Sequence, residues 1–168
     1  MSKMKHLIYT IGHSNLESKQ FIELLHFNGI ELLVDVRSSP YSKYVPHFNS
    51  PRLRNNLKKV GINYRYLGDK IGGKPSSDEY YVDGKVIYPL IKTTEKYKKG
   101  IIELIKFSKE YKTVIMCAEK NPNNCHRYLL ITPSLVEKGL EVIHIYGCGI
   151  INDENKEDVQ KTLFDFFK

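Results

Sequence analysis

The sequence predicts an α/β fold, a single three-layer domain in which a mainly parallel sheet of about five strands carries helices on both faces, with a hairpin-like insertion near residues 74–95. Three observations predict it. Short apolar runs alternate with stretches of helical period along most of the 168 residues. Glycines stand where three of those helical stretches should end, at Gly29, Gly61 and Gly139. An Asp-Gly pair, Asp83-Gly84, lies between alternating residues in the least regular part of the chain, which is a hairpin signal.

Taken in order, Lys5–Ile11 reads as a first strand stopped by Gly12. Ser14-Asn15-Leu16-Glu17 has the form of a capping box opening a helix, with Phe21, Leu24, Leu25 and Phe27 on one stripe. Ile30–Val36 has the pattern of a strand buried on both faces. A polar, aromatic loop follows to Asn49, and Ser50-Pro51 opens a helix with Leu53, Leu57 and Val60 on one side. Ile62–Leu67 makes a third strand. Beyond the Tyr80–Tyr88 hairpin, 97–111 is helical in period, with Ile101, Leu104, Ile105 and Ser108 along one face. Thr113–Cys117 is a fourth strand and Leu140–Tyr146 a fifth. Between them, Asn124–Lys138 reads as a helix in which Pro133 predicts a kink or a break. Residues 152–168 form a final helix, with Val159, Leu163 and Phe166 inward. Strand order is left open by these patterns.

Composition narrows the function. A chain of this length, 41% hydrophobic and 27% charged, can bury a core without disulfides or a structural metal, which excludes a disordered chain. No apolar run approaches the roughly 20 residues of a membrane span. Met1–Lys5 is basic but is followed by no long apolar stretch, which argues against a secretory leader. Three cysteines suggest no disulfide framework, and the cytoplasm is the expected compartment. The net charge of +7 is concentrated: residues 1–75 hold 12 basic and 5 acidic side chains, whereas the remainder is balanced. Between Arg37 and Lys74 nine basic residues face Asp69 alone, interleaved with Tyr41, Tyr44, Phe48, Tyr64 and Tyr66. Cations among flat rings suit a polyanion with stackable bases, although a solvated lysine-rich surface has the same composition.

Ligands of open parallel sheets sit at the carboxyl ends of the strands, and the residues following each predicted strand are unusually reactive. They are Gly12-His13-Ser14, Asp35-Val36-Arg37-Ser38, Gly68-Asp69 with Gly72-Gly73-Lys74, Cys117-Ala118-Glu119-Lys120 with Cys125-His126-Arg127, and Gly147-Cys148-Gly149. Loops that needed only solubility would use Gly, Asn, Asp, Ser and Pro.

Several of these segments carry a resemblance. Thr10-Ile11-Gly12-His13-Ser14, Leu33 to Ser42, Pro46-His47-Phe48-Asn49, Gly61-Ile62-Asn63-Tyr64, Leu67-Gly68, Gly72-Gly73, Cys117 to Pro122 and Cys125-His126-Arg127 together resemble the domain-of-unknown-function family 488 over roughly residues 7–146. The resemblance implies a small prokaryote-type α/β domain sharing these polar residues, and it brings no reaction with it. Lys43 stands where the family pattern favours Arg, which exchanges a fork-shaped phosphate contact for a point charge.

Each candidate has an ordinary structural reading beside the functional one. Cys117, at a strand end, is either a buried inert thiol or a nucleophile presented over the sheet edge. Cys125, next to His126 and two residues from Arg127, is a resolving or supporting thiol, with Cys117 slightly ahead as nucleophile. Cys117, Cys125 and Cys148 with His126 or His13 could instead bind zinc, but their spacing fits no common zinc motif. Asn123 stands where a Cys-phosphatase loop wants Arg. Ser14 reads as a helix N-cap, or as a phosphate contact beside the first helix. His13 is a loop hydrogen-bonder or a general acid–base. Asp35 and Arg37 share one strand face as an ion pair, or as a carboxylate beside an oxyanion clamp, and Glu119 has the same two readings. Gly72-Gly73 reads as a hinge for a lid over residues 74–95.

The expected function is an enzyme acting on a phosphorylated, base-containing substrate, a nucleotide or nucleic acid. Cys117, His13, Asp35, Glu119, Cys125 and His126 are its candidate catalytic residues. Ser14, Arg37, Tyr41, Lys43, Tyr66, Lys74 and Arg127 are its candidate binding residues, with Tyr44 as a further stacking ring. The alternatives are a non-catalytic nucleic-acid module using 37–74, and a thiol or redox protein. Cofactors and oligomeric state are left open, and no membrane partner is expected.

Overall fold

The computed structural model describes residues 6–146 and 149–151. The predicted C-terminal helix, and Gly147 and Cys148 of the strand-end segment, lie outside the described residues. Five strands form a parallel sheet: β1 (Leu7–Gly12), β2 (Leu32–Asp35), β3 (Asn63–Tyr66), and, later in the chain, Thr113–Cys117 and Glu141–Tyr146. Tyr81–Val82 (β4) and Lys85–Val86 (β5) make the separate hairpin, so the later pair are β6 and β7. A sixth strand beyond the expected five, β8 (Gly149–Ile151), pairs antiparallel with β7 and gives the order β3-β2-β6-β1-β7-β8.

The inner strands β2, β6 and β1 are buried along nearly their whole length because both faces are covered, whereas β3 at the sheet edge exposes Asn63 and Arg65. Over one face lie Phe21, Leu24 and Leu25 of α1 (Ser18–Phe27) and Leu53 and Leu57 of α2 (Ser50–Lys59), packed on Ile11, Leu33, Val114 and Met116. Over the other lie Ile71 of α3 (Gly68–Ile71), Ile91 of α4 (Tyr88–Lys92), and Tyr97, Ile101 and Leu104 of α5 (Glu95–Glu110). These meet Leu135 of α6 (Thr132–Glu137) and the inward residues Ile8, Val34, Ile115 and Cys117. The alternation along β6 therefore sends Cys117 to the α5/α6 face and Met116 to the α1/α2 face. Among the described residues no helix is long and apolar enough to cross a membrane.

The topology fixes where a ligand can enter. After β1 and β2 the chain leaves through α1 and α2 on one face, whereas after β6 it leaves through α6 on the other. β6 lies between β2 and β1 in the sheet. Adjacent strand ends that feed loops to opposite faces open a crevice between them, here at the carboxyl end of β6.

Three local expectations need correction. Ser14 is no N-cap: it takes the left-handed conformation (φ 47°), because the His13 and Ser14 amides continue the sheet pairing onto the Cys117 and Ala118 carbonyls (both 2.9 Å) before the chain turns. The α1 cap is Glu17, whose amide donates to Gln20 Oε1 at 3.2 Å. The helix expected over 124–138 starts only at Arg127, as a π-helical stretch, Arg127–Ile131, that runs into α6, so the irregularity expected at Pro133 lies just before it. The Arg127 carbonyl accepts from the Thr132 amide, the i+5 bond of a π-helical turn, and from the Thr132 hydroxyl. Gly72 and Gly73 are buried rather than hinge-like: a Cβ on Gly73 would lie 2.6 Å from His126 Cβ, so the glycine is what lets this loop seat against the histidine. The two-residue hairpin turn is as expected, with positive φ at both Asp83 (50°) and Gly84 (76°).

Candidate functional site

The crevice holds two clefts, one over each face of the sheet, meeting at Arg37, Ser39 and Ala118. The first, about 390 Å³, has Cys117, Cys125, His126, Glu119 and Lys74 in its walls, with Tyr88 and Gly73 completing them. The second, about 470 Å³, has His13, Ser14, Tyr41 and Tyr44.

In the first cleft β6 ends at Cys117, and the short 3₁₀ turn Pro122–Asn124 brings Cys125 back against it, so that the two sulfurs lie 2.7 Å apart. Cys125 Sγ is also 3.5 Å from His126 Nδ1. His126 Nε2 donates to the Val36 carbonyl at 2.9 Å, which leaves Nδ1 as the ring atom facing the sulfur. The Cys117 thiol donating to Cys125, reinforced by His126, pulls the Cys125 thiol down to about 4 despite its burial. The same hydrogen bond and burial push Cys117 up. The sequence favours Cys117 as nucleophile, whereas the His126 contact, made by Cys125 alone of the two thiols, favours the thiolate at Cys125.

The second group is built on the opposite face. Asp35, fully buried, takes a two-pronged bond from Arg37: Nε to Oδ1 at 2.9 Å and Nη2 to Oδ2 at 2.7 Å. Arg37 Nη2 also donates to the Phe48 carbonyl (2.8 Å), and Nη1 meets His13 Nε2 at 3.3 Å. One Nη1 hydrogen remains for a ligand, and the charge of Arg37 is already balanced by Asp35. Tyr64 donates to Asp35 Oδ2 at 2.7 Å and in turn touches Ser50 Oγ at 2.9 Å.

The His13 ring is stacked on Phe48 (centroids 4.5 Å apart) with Nδ1 on the Ser14 carbonyl (2.8 Å), so Nε2 is the lone-pair atom that accepts from Arg37. Burial, with Arg37 adding, lowers its pKa to about 4. The unfolded chain, near 6.5, therefore binds the extra proton between those values. This contribution to stability is complete above pH 6.5 and is lost as the pH falls toward 4, by about 2 kcal/mol at pH 5. The thermal midpoint of the wild type should fall more between pH 7 and pH 5 than that of His13→Asn; equal falls would contradict this account of His13.

The remaining candidates divide. Glu119 and Lys74 are exposed in the walls of the thiol cleft, with the Lys74 amide bonded to Ser38 Oγ at 2.8 Å. Tyr41 is exposed, and Lys43 lies 5.1 Å over the Tyr44 ring. Tyr66 lines neither cleft: it is half-buried, and its hydroxyl donates to the Ser38 carbonyl at 3.1 Å. Arg127 does not reach a ligand either. It is fully buried beneath the loop after β6, where Nη2 donates to the Glu119 and Lys120 carbonyls (both 3.1 Å) while Nε and Nη1 have no partner among the described residues.

Among the described residues no three His, Cys, Asp or Glu side chains are placed to hold a metal ion. Residues not singled out as candidates are Tyr64, Phe48 and Ser50. Tyr64 had a readable signal, since a strand tyrosine in a stretch that alternates with buried leucine points the same way as Asp35 on its neighbour.

No curated protein matches the chain. The family model described as Domain of unknown function DUF488 matches residues 17–132, the segment from α1 to the start of α6 that contains all the cleft residues named above except His13 and Ser14. The chain belongs to the DUF488 family.

Proposed function

We propose that this protein is an enzyme with a cysteine nucleophile, acting on a phosphorylated, base-bearing substrate, a nucleotide or nucleic acid. The observation that carries the reading is the position of Cys125 Sγ between the Cys117 thiol and His126 Nδ1, in the wall of a cleft at the carboxyl edge of the sheet. A thiolate is the nucleophilic form of cysteine, and a neighbouring imidazole is the usual partner for its proton. Cys117 stabilises the thiolate by donating to it. Glu119 is the carboxylate at hand for proton transfer to or from the substrate. Lys74 and the remaining Arg37 hydrogen offer phosphate contacts, and Tyr41 and Tyr44 offer faces for a base. Asp35 and His13 serve this reading as positioning residues, through Arg37.

A second reading, thiol–disulfide exchange between Cys125 and Cys117, is favoured by the 2.7 Å sulfur contact. One experiment separates the readings. A nucleotide library is screened by thermal shift, and turnover of the hits is followed in wild type, Cys125→Ser and Cys117→Ser. The nucleophile reading expects turnover to vanish in Cys125→Ser, with the thermal midpoint held within a few degrees, and to persist at a reduced rate in Cys117→Ser. Turnover unchanged in Cys125→Ser overturns it. Loss in both variants, with consumption of glutathione disulfide by wild type, assigns the exchange reaction instead.

A further inference from the structure

We infer that the substrate is a single strand of nucleic acid laid across the strand ends, with one nucleotide at the thiols and its neighbour on Tyr41 and Tyr44. This rests on the nucleophile reading above and extends it from mononucleotide to polymer. In the thiol cleft Arg37 is neutralised by Asp35, and Lys74 is opposed by Glu119 in the same walls, so a lone nucleotide there would find little net positive charge.

The uncompensated cations lie on the other side. Lys43 sits beside Tyr44, and the chain continues from this loop into α2 with Arg52 and Arg54 exposed in its first turns. Among the described residues no carboxylate comes within 4 Å of these three. None of the three lines the thiol cleft, so phosphate attraction is set apart from the reactive sulfur, which serves a substrate whose neighbouring phosphates belong to the same chain. Binding energy gathered from such non-reacting parts of a substrate can be used at the reacting centre.

Tyr41 is 61% and Tyr44 83% exposed, both in the walls of the second cleft. The two clefts share Arg37, Ser39 and Ala118, so a ligand crosses from one to the other without leaving the surface. Flat rings at a cleft rim accept any unpaired base by stacking, which a base held inside a duplex cannot offer.

The test uses fluorescein-labelled thymidine monophosphate, oligothymidylates of about two to eight nucleotides and a duplex of equal length, read by anisotropy. It also follows the rate at which iodoacetamide labels Cys125 with and without each unlabelled ligand. Affinity is expected to rise at least about tenfold from mononucleotide to tetranucleotide, to exceed that for duplex, and to fall about five- to hundredfold in Tyr44→Ala. It should also fall steeply with salt. The bound tetranucleotide should shield Cys125. A mononucleotide that binds as tightly as the tetranucleotide, or an oligonucleotide that binds without shielding Cys125, overturns the inference. The pH profile of labelling in the free protein reads the nucleophile proposal separately: a Cys125 rate that climbs with pH as an ordinary thiol's does sinks that proposal, whatever the oligonucleotides do.

Discussion

Replacing Arg37 by methionine is expected to destabilise the protein by about 3–5 kcal/mol, the cost of removing one partner from a buried ion pair. Asp35 has no exposed surface, and three of its four bonds with donors come from Arg37: the backbone amide (3.2 Å), Nε and Nη2. Methionine fills similar volume but leaves the carboxylate with the amide and the Tyr64 hydroxyl alone, and leaves the Phe48 carbonyl and His13 Nε2 without their donor. The second variant, Asp35→Asn with Arg37→Met, removes the stranded charge and should recover more than half of the loss. Urea denaturation midpoints at constant m-value measure both. A single variant that loses less than about 1 kcal/mol would mean that the pair is a rim ornament, because exposed pairs contribute no more than that.

This pair also shows what could be read in the chain and what could not. Asp35 and Arg37 are two residues apart on a predicted strand, and a shared face follows from the pleat alone. That the guanidinium is saturated by Asp35, Phe48 and His13 does not follow from spacing, because Phe48 and His13 arrive from other segments of the chain. The parallel sheet, the ends of its helices and the Asp83-Gly84 turn were legible because each depends on local pattern or local φ. The short helices α3 and α4, of four and five residues, are below the length at which helical period can be seen. β8 is only three residues long.

Within the site, the gathering of strand-end residues was legible from topology, and their division between two faces was not. It depends on which face each loop leaves by, and it gives the thiols His126 as partner while His13 goes to Arg37. The choice between Cys117 and Cys125 turned on which thiol meets the His126 ring, which no periodicity encodes. Arg127 illustrates the opposite case: an arginine beside reactive residues in sequence reads as a phosphate clamp, yet the π-helical turn buries it under the loop it supports.

The second large effect is on thiol reactivity. With Cys125 lowered to about 4 from an ordinary 9, its thiolate fraction at pH 6 should be about a thousandfold greater than that of an unperturbed thiol. Intrinsic nucleophilicity falls as the pKa falls, with a Brønsted slope of about 0.4–0.5, so five units cost about two hundredfold in rate per thiolate. The two effects nearly cancel, and Cys125 is only 4% exposed, so alkylation at pH 6 should be at most several-fold faster than for an ordinary exposed thiol, and at pH 9 it should be slower. The distinguishing observable is therefore the shape of the pH profile and not the rate at any one pH. Cys117→Ala removes the donor that contributes most to the lowering and should move the Cys125 midpoint upward.

The measurement that tests the account most directly is the iodoacetamide rate at Cys125, located by peptide mass, from pH 5 to pH 9. The lower limit is set by His13, whose preference for the neutral form has already cost about 2 kcal/mol of stability at pH 5. A rate that stays flat over this range in wild type, and acquires a rising limb within it in Cys117→Ala, is the predicted result. A wild-type rate that climbs about tenfold per pH unit toward a midpoint near 9, unchanged by Cys117→Ala, would contradict a resting thiolate at the sheet edge.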